Sequence, residues 1–201
     1  MRENSSSGED LDQNVVMRMF EETGALLRGH FILTSGLHSP NYLQCARVLQ
    51  YPDLAEALGQ AIADLYRDDR VSCVVSPAIG GIVIGQEVAR ALGARAIFSE
   101  REGGDMRFRR GFELGSDERV VVVEDVITTG GSTRETIDAV IAAGGKAIGA
   151  ASIIDRSGGT AAVGIPRKAL ATLSVETYDP STCPLCKDGA TPAVKPGSRN
   201  S

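Results

Sequence analysis

Two adjacent acids and a run of hydroxyl and glycine residues form the part of this chain best suited to chemistry. Glu124 and Asp125 follow four consecutive valines, and residues 128–133 are all Thr, Gly or Ser. The backbone N–H groups and hydroxyls of such a segment can converge on an anion, and a helix that follows directs the positive end of its dipole there. Carboxylates would repel a phosphate, so we expect them to accept hydrogen bonds from sugar hydroxyls instead. The pattern in residues 120–133 therefore predicts a site for a phosphorylated sugar.

Two common phosphate motifs do not account for this segment. No lysine follows Gly130 or Gly131, as a P-loop requires, and the Gly-x-Gly-x-x-Gly spacing of dinucleotide sites is absent from it. Either acid alone could be a solvated residue at a strand end, and the glycines could belong to an ordinary loop. The complete pattern is specific enough to favour the sugar phosphate site.

The elements that must position this segment alternate between strand and helix. Four consecutive valines predict a strand buried on both faces of a parallel sheet, and open α/β sheets bind ligands at the carboxyl ends of such strands. Apolar periodicity predicts helices at residues 12–23, 52–66, 82–92 and 132–143, and strands at residues 71–76, 94–98, 120 onwards, 147–154 and 169–175, with short β-like runs at 31–33 and 42–45. This order predicts an α/β fold with a central, mostly parallel, doubly wound sheet flanked by helices.

Length and charge limit the classes of protein that fit. The chain has 201 residues, 42% of them hydrophobic, which suits one well-buried domain. A net charge of −5 without a basic run argues against a nucleic-acid partner, and no apolar stretch approaches the roughly 18 residues of a membrane span. We therefore expect a soluble, cytoplasmic protein with no membrane partner. It is predicted to have a single domain at residues 10–186 and disordered ends at residues 1–9 and 187–201.

Cys183 and Cys186 have the spacing of a metal or redox pair. A zinc site needs four ligands, and the two histidines of the chain, His30 and His38, are far away in sequence. The favoured interpretation is a reduced pair without a structural role. A zinc site shared across a dimer and a disulfide remain open.

The segment at residues 120–133 resembles the phosphoribosyl diphosphate (PRPP) signature of the type I phosphoribosyltransferases. The resemblance implies the fold of that family, which adds a small N-terminal hood and a flexible flap to the sheet. It also implies that Glu124 and Asp125 bind the ribose 2′- and 3′-hydroxyls, while the loop after them wraps the 5′-phosphate. The PRPP-binding residues implied are Arg101, Glu124, Asp125, Val126, Ile127, Thr128, Thr129, Gly130, Gly131, Ser132 and Thr133.

Four further segments resemble one branch of that family, the orotate phosphoribosyltransferases. Residues 31–42 resemble the segment that covers the pyrimidine, and residues 76–81 resemble the loop beneath the pyrophosphate. The flap corresponds to residues 99–112, a charged segment containing four arginines. Residues 153–156 end in an arginine that can hold the orotate carboxylate by two parallel hydrogen bonds.

The resemblance to this branch assigns further roles. It implies orotate binding by Thr128, Arg156 and Tyr42, a pyrophosphate loop formed by Ala78, Ile79, Gly80 and Gly81, and catalytic roles for Arg101, Asp105, Arg107 and Asp125. It further implies Mg²⁺ as cofactor, held mainly by the substrate, and a homodimer in which each flap closes over the neighbouring subunit's site. The activity it implies is transfer of phosphoribose from PRPP to orotate, in the synthesis of pyrimidine nucleotides.

The chain also departs from this branch. Many members have a lysine at the positions of Thr34, Gly80 and Asp105. A negative charge at Asp105 would weaken stabilisation of the leaving pyrophosphate unless a flap arginine compensates. Two alternatives therefore stay open, namely a phosphoribosyltransferase for another base and a regulator that senses PRPP without catalysis.

Overall fold

A six-stranded sheet forms the centre of the molecule in a computed structural model that describes residues 11–33 and 35–196. Its strands lie in the order β5-β4-β3-β6-β7-β8, and all neighbours are parallel except β4 and β5. The strands are β3 (Cys73–Pro77), β4 (Arg95–Glu102), β5 (Asp105–Phe108), β6 (Arg119–Ile127), β7 (Lys146–Asp155) and β8 (Arg167–Thr172). The predicted α/β fold with a mostly parallel sheet is confirmed.

Helices cover both faces of this sheet. They are α1 (Gln13–Glu22), α2 (Ala46–Leu49), α3 (Pro52–Asp64), α4 (Gly81–Leu92), α5 (Gly131–Ala142) and α6 (Pro184–Asp188). Helices α1, α3 and α4 pack in one apolar cluster, and α5 packs in a second cluster on the opposite face. Local signals define several helix ends: Asp12 accepts a hydrogen bond from the backbone of Val15, and Pro52 occupies the first turn of α3. No helix in the described ranges is long and apolar enough to cross a membrane.

The valine strand β6 lies in the middle of the sheet. It is paired with β3 on one side and β7 on the other. Val120 to Val123 have no exposed surface, and alternate valines enter the two apolar clusters. This two-sided burial explains why the strand has an unbroken apolar sequence.

A two-stranded antiparallel sheet, here called the hood, stands apart from the main sheet. It consists of β1 (Leu26–Ile32) and β2 (His38–Leu43). Both strands begin earlier than the β-like runs predicted at residues 31–33 and 42–45, because their antiparallel pairing extends order to the residues that precede each run. Position 34, one of the departures noted above, is outside the described residues.

The flap, residues 99–112, is a β-hairpin rather than the predicted loop. Strand β4 continues into it, and β5 returns antiparallel, with Gly103 and Gly104 at positive φ in the turn. Ion pairs form within the flap, and one of them joins Arg110 Nε to Glu100 Oε2 at 2.8 Å. The antiparallel pairing of β4 with β5 defines this hairpin, and apolar periodicity alone does not reveal it.

The C-terminal segment folds back onto the hood. His38 and Tyr178 exchange backbone hydrogen bonds of 2.8 Å, and the carbonyl of Val194 accepts from Ile32 N at 2.8 Å. Residues 187–196 belong to the predicted disordered tail, yet in the structure they are placed by pairing with β1, a long-range contact with no local sequence signal. The remaining tail residues, 197–201, and the predicted N-terminal tail, 1–9, lie outside the described residues.

Candidate active site

A cavity of about 550 Å³ opens at the carboxyl ends of β6 and β7, beneath the hood. Its walls come from the hood, the flap, strand β6, the loop before α5, and the end of β7. The lining residues are Leu33, Ser35, Tyr42, Leu43, Gln44, Arg101, Asp125, Val126, Thr128, Thr129, Gly131, Ser132, Glu135 and Arg156. The structure thus brings the predicted phosphate loop, one acid and the predicted orotate contacts into one space.

Glu124 and Asp125 project from β6 into different surroundings. Asp125 lines the cavity. Glu124 instead accepts a hydrogen bond from the hydroxyl of Thr133, a buried residue in the first turn of α5. Burial raises the pKa of Glu124 to about 7, against the opposing effect of the Thr133 hydroxyl. Of the two acids, Asp125 is therefore the one presented directly to a ligand.

The carboxylate of Asp125 is held closely by its neighbours. Burial raises its pKa, while backbone N–H groups and the thiol of Cys45 donate hydrogen bonds that oppose this shift. Gly80 lies directly against it, since a Cβ atom at that position would be 2.7 Å from Asp125 Oδ1. A side chain at position 80 would therefore not fit without displacing this carboxylate.

The loop at residues 128–133 leads into α5 as predicted. Thr128, Thr129, Gly131 and Ser132 line the cavity. Gly130 has a φ of +80°, and a Cβ atom there would be 2.8 Å from Val163. The twelve-residue helix α5 begins at Gly131, so its free N–H groups and positive dipole end face the cavity.

Two predicted PRPP-binding residues of strand β6 differ in their exposure. Val126 lines the cavity, whereas Ile127 is 1% exposed and packed in the core. A direct ligand contact through the Ile127 side chain is therefore not seen. Its carbonyl instead accepts a hydrogen bond of 2.8 Å from the backbone of Arg156, which joins the ends of β6 and β7.

Tyr42 and Arg156 form the opposite wall. Tyr42 lies on β2 with its ring 5.8 Å from that of Phe31, and burial raises the pKa of its hydroxyl. Arg156 is half-buried, and burial lowers the pKa of its guanidinium. Among the described residues, none forms a hydrogen bond or ion pair with that guanidinium.

Asp155, the neighbour of Arg156, is turned away from it. Its carboxylate accepts hydrogen bonds from Ser157 and forms an ion pair with Arg167 at the start of β8. Burial opposes the ionisation of Asp155, but these hydrogen bonds outweigh it and lower its pKa. The Arg156 cation consequently remains available to an anionic ligand in the cavity.

The predicted pyrophosphate loop lies beside the cavity without lining it. The Ala78–Ile79 peptide bond is cis, and the N–H of Ala78 donates to the carbonyl of Ser99 at 2.8 Å. Ile79 is 85% exposed. Helix α4 begins at Gly81, and Gly80, its N-cap residue, contacts Asp125 and so links this loop to the site.

The predicted catalytic residues of the flap are divided between two surfaces. Arg101 lines the cavity and forms an ion pair with Glu135 of α5. Asp105 and Arg107 pair with each other, 3.2 Å apart between carboxylate and guanidinium, and line a separate depression. Within one chain, the structure does not bring Asp105 or Arg107 together with Asp125.

One further cluster of side chains was not predicted from the sequence. His30 and His38 of the hood meet Cys183 and Cys186, with all four potential ligand atoms within 4.8 Å of one another. The favoured interpretation of an incidental cysteine pair did not anticipate this, because about 150 residues separate the two pairs. The available signal was a pair of histidines flanking a hairpin in a chain with a Cys-x-x-Cys motif.

Comparison with known proteins agrees with this geometry. The phosphoribosyl transferase domain family matches residues 45–175. An orotate phosphoribosyltransferase of Caldicellulosiruptor saccharolyticus is 50% identical over 94% of this chain and 98% of its own length. The crystal structure of the Aeropyrum pernix orotate phosphoribosyltransferase superposes with a TM-score of 0.67 at 28% identity, covering 79% of this chain and 93% of that one. That of the Mycobacterium tuberculosis enzyme in complex with PRPP shares the fold, with a TM-score of 0.62 at 20% identity, covering 84% and 92%.

The chain belongs to the phosphoribosyltransferases, a family of glycosyl-transferring enzymes. Within this family its place is among the orotate phosphoribosyltransferases, as the identity over nearly its whole length demonstrates.

Proposed function

We propose that this protein transfers phosphoribose from PRPP to N1 of orotate, producing orotidine 5′-monophosphate and pyrophosphate. One observation carries the choice of orotate. The half-buried cation of Arg156 has no anionic partner among the described residues and lines the same cavity as the phosphate loop. A buried charge without a partner is costly. A carboxylate on the acceptor base offsets that cost, whereas a neutral base does not.

PRPP fits along the other side of the cavity in this proposal. The 5′-phosphate lies at the loop of residues 128–133 and the N-terminus of α5. Asp125 accepts hydrogen bonds from the ribose hydroxyls. Glu124 is the second acceptor for these hydroxyls and also accepts the hydrogen bond from Thr133. Arg101 and the loop at residues 78–81 face the pyrophosphate. Tyr42 covers the pyrimidine together with the apolar Leu43.

Transfer breaks the bond from C1′ to the pyrophosphate oxygen and forms a bond from C1′ to N1 of orotate, with inversion at C1′. The N1–H bond of orotate also breaks, and its proton passes to the departing pyrophosphate. Positive charge develops on the sugar as negative charge builds on the leaving group. The chain contributes by positioning both substrates and by supplying Arg101 opposite the pyrophosphate. The hood and flap shield the reacting atoms from water.

Mg²⁺ is part of this proposal. The carboxylate of Asp125 and the hydroxyls of Thr128 and Thr129 are hard oxygen donors at the cavity, which suits this ion. Bound together with PRPP, Mg²⁺ would neutralise part of the negative charge that develops on the pyrophosphate. We propose that substrate oxygens and water provide most of its ligands, as is usual for Mg²⁺ with phosphates.

A homodimer with a shared flap completes the proposal. Asp105 and Arg107 lie outside the cavity of their own chain, which supports a role at a neighbouring subunit's site. The cytoplasmic location expected from the composition stays a prediction.

Arg156→Ala tests the choice of base. We expect the KM for orotate to rise about 10- to 100-fold, because a charge-assisted hydrogen-bond pair is lost, with the KM for PRPP nearly unchanged. Orotate consumption in the presence of PRPP and Mg²⁺ is measured by the change in ultraviolet absorbance. Arg18→Ala, at an exposed position of α1, is the matched control.

A panel of neutral bases separates the alternatives. Faster transfer to uracil, hypoxanthine or adenine than to orotate would assign the protein to another base. PRPP binding by folded protein without consumption of any base would favour the regulator. An unchanged KM for orotate in Arg156→Ala would remove the carboxylate contact from the proposal.

A further inference from the structure

Four side chains with metal-binding atoms converge where the C-terminal segment meets the hood. His30 Nε2 and His38 Nδ1 are 2.8 Å apart, and the sulfur of Cys186 is 3.3 Å from His38 Nδ1. The sulfurs of Cys183 and Cys186 are each 3.7 Å from His30 Nε2. None of the four lines the cavity that the proposed reaction uses.

The donor set indicates which ion would fit. Two thiolates and two imidazoles around one point form a tetrahedral site typical of zinc, while Mg²⁺ and Ca²⁺ prefer oxygen ligands. Zinc bonds of about 2.0–2.3 Å place tetrahedral ligand atoms about 3.3–3.8 Å apart. Three of the four distances above meet that range, and the histidine rings need to separate by only about half an ångström for the fourth.

The orientation of His30 supports metal binding. Its Nδ1 lies 3.0 Å from the carbonyl oxygen of Thr191. Because a carbonyl only accepts, Nδ1 must carry the proton, which leaves the lone pair of Nε2 directed into the cluster. Metal-bound histidines usually have such a partner on the second ring nitrogen.

Burial gives a second, independent indication. His30, His38 and Cys183 are 3%, 7% and 0% exposed, although each carries a polar or ionisable group. Such groups are costly to bury unless they form hydrogen bonds or coordinate a metal ion. Cys186 is exposed, so an ion can reach the cluster from solvent.

We propose that this cluster is a structural zinc site formed within one chain. The ion joins β1 and β2 of the hood to the start of α6, more than 140 residues later in the chain. Strand β2 also carries Tyr42 and Leu43 to the wall of the cavity. Zinc therefore secures the hood in the position that the base site requires, without taking part in the reaction.

Elemental analysis of the full-length protein tests the site. After expression with zinc and removal of free metal, we expect about one zinc per chain by mass spectrometry. Cobalt substitution should give the visible absorption of a tetrahedral ion bound by thiolates. Both readouts are independent of orotate transfer, so their failure is distinguishable from failure of the proposed function.

Variants locate the ion. Cys183→Ser and Cys186→Ser should each lose most of the zinc and lower the melting temperature by about 5–10 °C. Cys73→Ala is the control, because it removes a buried thiol of β3 from a different part of the fold and should keep its zinc. If a serine variant does not fold, zinc release from the wild-type protein during thiol modification answers the same question.

Three results would overturn the proposal. Wild-type protein without zinc after expression in zinc-supplemented medium is the first. Equal zinc content in Cys183→Ser and the control is the second. The third is a count of fewer than four free thiols per chain in denatured protein that has not been reduced. A disulfide between Cys183 and Cys186 would remove two of the ligands.

Discussion

Glu124 and Asp125 are neighbours on β6, but only Asp125 reaches the cavity directly. Glu124 lies behind it, bound to Thr133 at the start of α5. This places an acid of raised pKa between the sheet and the phosphate loop. An acid held in this way costs stability in the free protein and becomes useful once a sugar hydroxyl donates to it.

Glu124→Gln should stabilise the free protein in a pH-dependent manner. Burial raises the pKa of Glu124 from its ordinary value of 4.5 to about 7. Below pH 4.5 the Glu124 carboxyl is protonated in both the folded and the unfolded state, so its replacement does not change the free energy of unfolding through ionisation. Between those pKa values the unfolded chain ionises first, so wild-type stability falls as pH rises. Above pH 7 the gain in unfolding free energy should level off at about 1–3 kcal/mol.

Urea unfolding of both proteins at pH 5 and pH 8 measures this difference. Glu22→Gln removes an exposed carboxylate of α1 and serves as the control, with little change at either pH. A stability gain that is equal at pH 5 and pH 8 would contradict a raised pKa of Glu124 in the folded protein.

At the scale of elements, the start of α4 and strand β6 meet at Gly80. Its backbone is helical, with φ −56° and ψ −42°, so alanine fits the conformation. The added Cβ, however, would lie 2.7 Å from Asp125 Oδ1 and would displace that carboxylate. We expect Gly80→Ala to keep its melting temperature and to lose about 10- to 100-fold in kcat/KM.

Gly115→Ala is the matched control for this experiment. Its nearest neighbouring atom would be 3.7 Å from the new Cβ, far from the cavity. Orotate assays and thermal unfolding of both variants separate a displaced carboxylate from a general effect of removing glycine. Normal activity in Gly80→Ala would mean that Asp125 can move without consequence.

Much of the main sheet and of the phosphate site was predictable because its signals are local. Four valines predicted the buried β6, and the Thr, Gly and Ser residues that follow predicted the turn into α5. The resemblance to the orotate phosphoribosyltransferases predicted Arg156 at the same cavity, and its position directly after β7 agrees with ligand binding at that edge of the sheet.

The remaining features depend on contacts distant in sequence. The hairpin of the flap is a partial exception, since it depends on the antiparallel pairing of β4 with β5 over a short range that apolar periodicity does not register. The cluster of His30 with Cys183 requires the C-terminal segment to return to the hood. A sequence separation of that size leaves no local pattern, so the two pairs of potential ligands looked unrelated.

At the scale of the whole molecule, the flap raises the question of which subunit it serves. Arg101 lies at the rim of its own chain's cavity, whereas Asp105 and Arg107 face elsewhere. A shared flap predicts that two inactive variants, Arg107→Ala and Asp125→Asn, restore activity when refolded together. Each mixed dimer then contains one complete site, giving about a quarter of wild-type activity.

Orotate consumption after co-refolding at equal concentrations measures this recovery. Each variant refolded alone provides the baseline. If each flap serves its own chain, every site in a mixed dimer lacks one of the two groups and no activity returns. That outcome would leave the proposed reaction intact and remove the shared flap.

The return of the C-terminal segment to the hood has a consequence for synthesis of the chain. The phosphate loop, Arg156 and the strands of the main sheet are all translated before Tyr178 and Val194, the residues that pair with the hood. Because folding during translation proceeds from the N-terminus, the sugar side of the cavity can form while the ribosome is still at work. In the proposed function, the wall of the cavity that receives the pyrimidine is therefore completed last, after residues 178–194 have been synthesised.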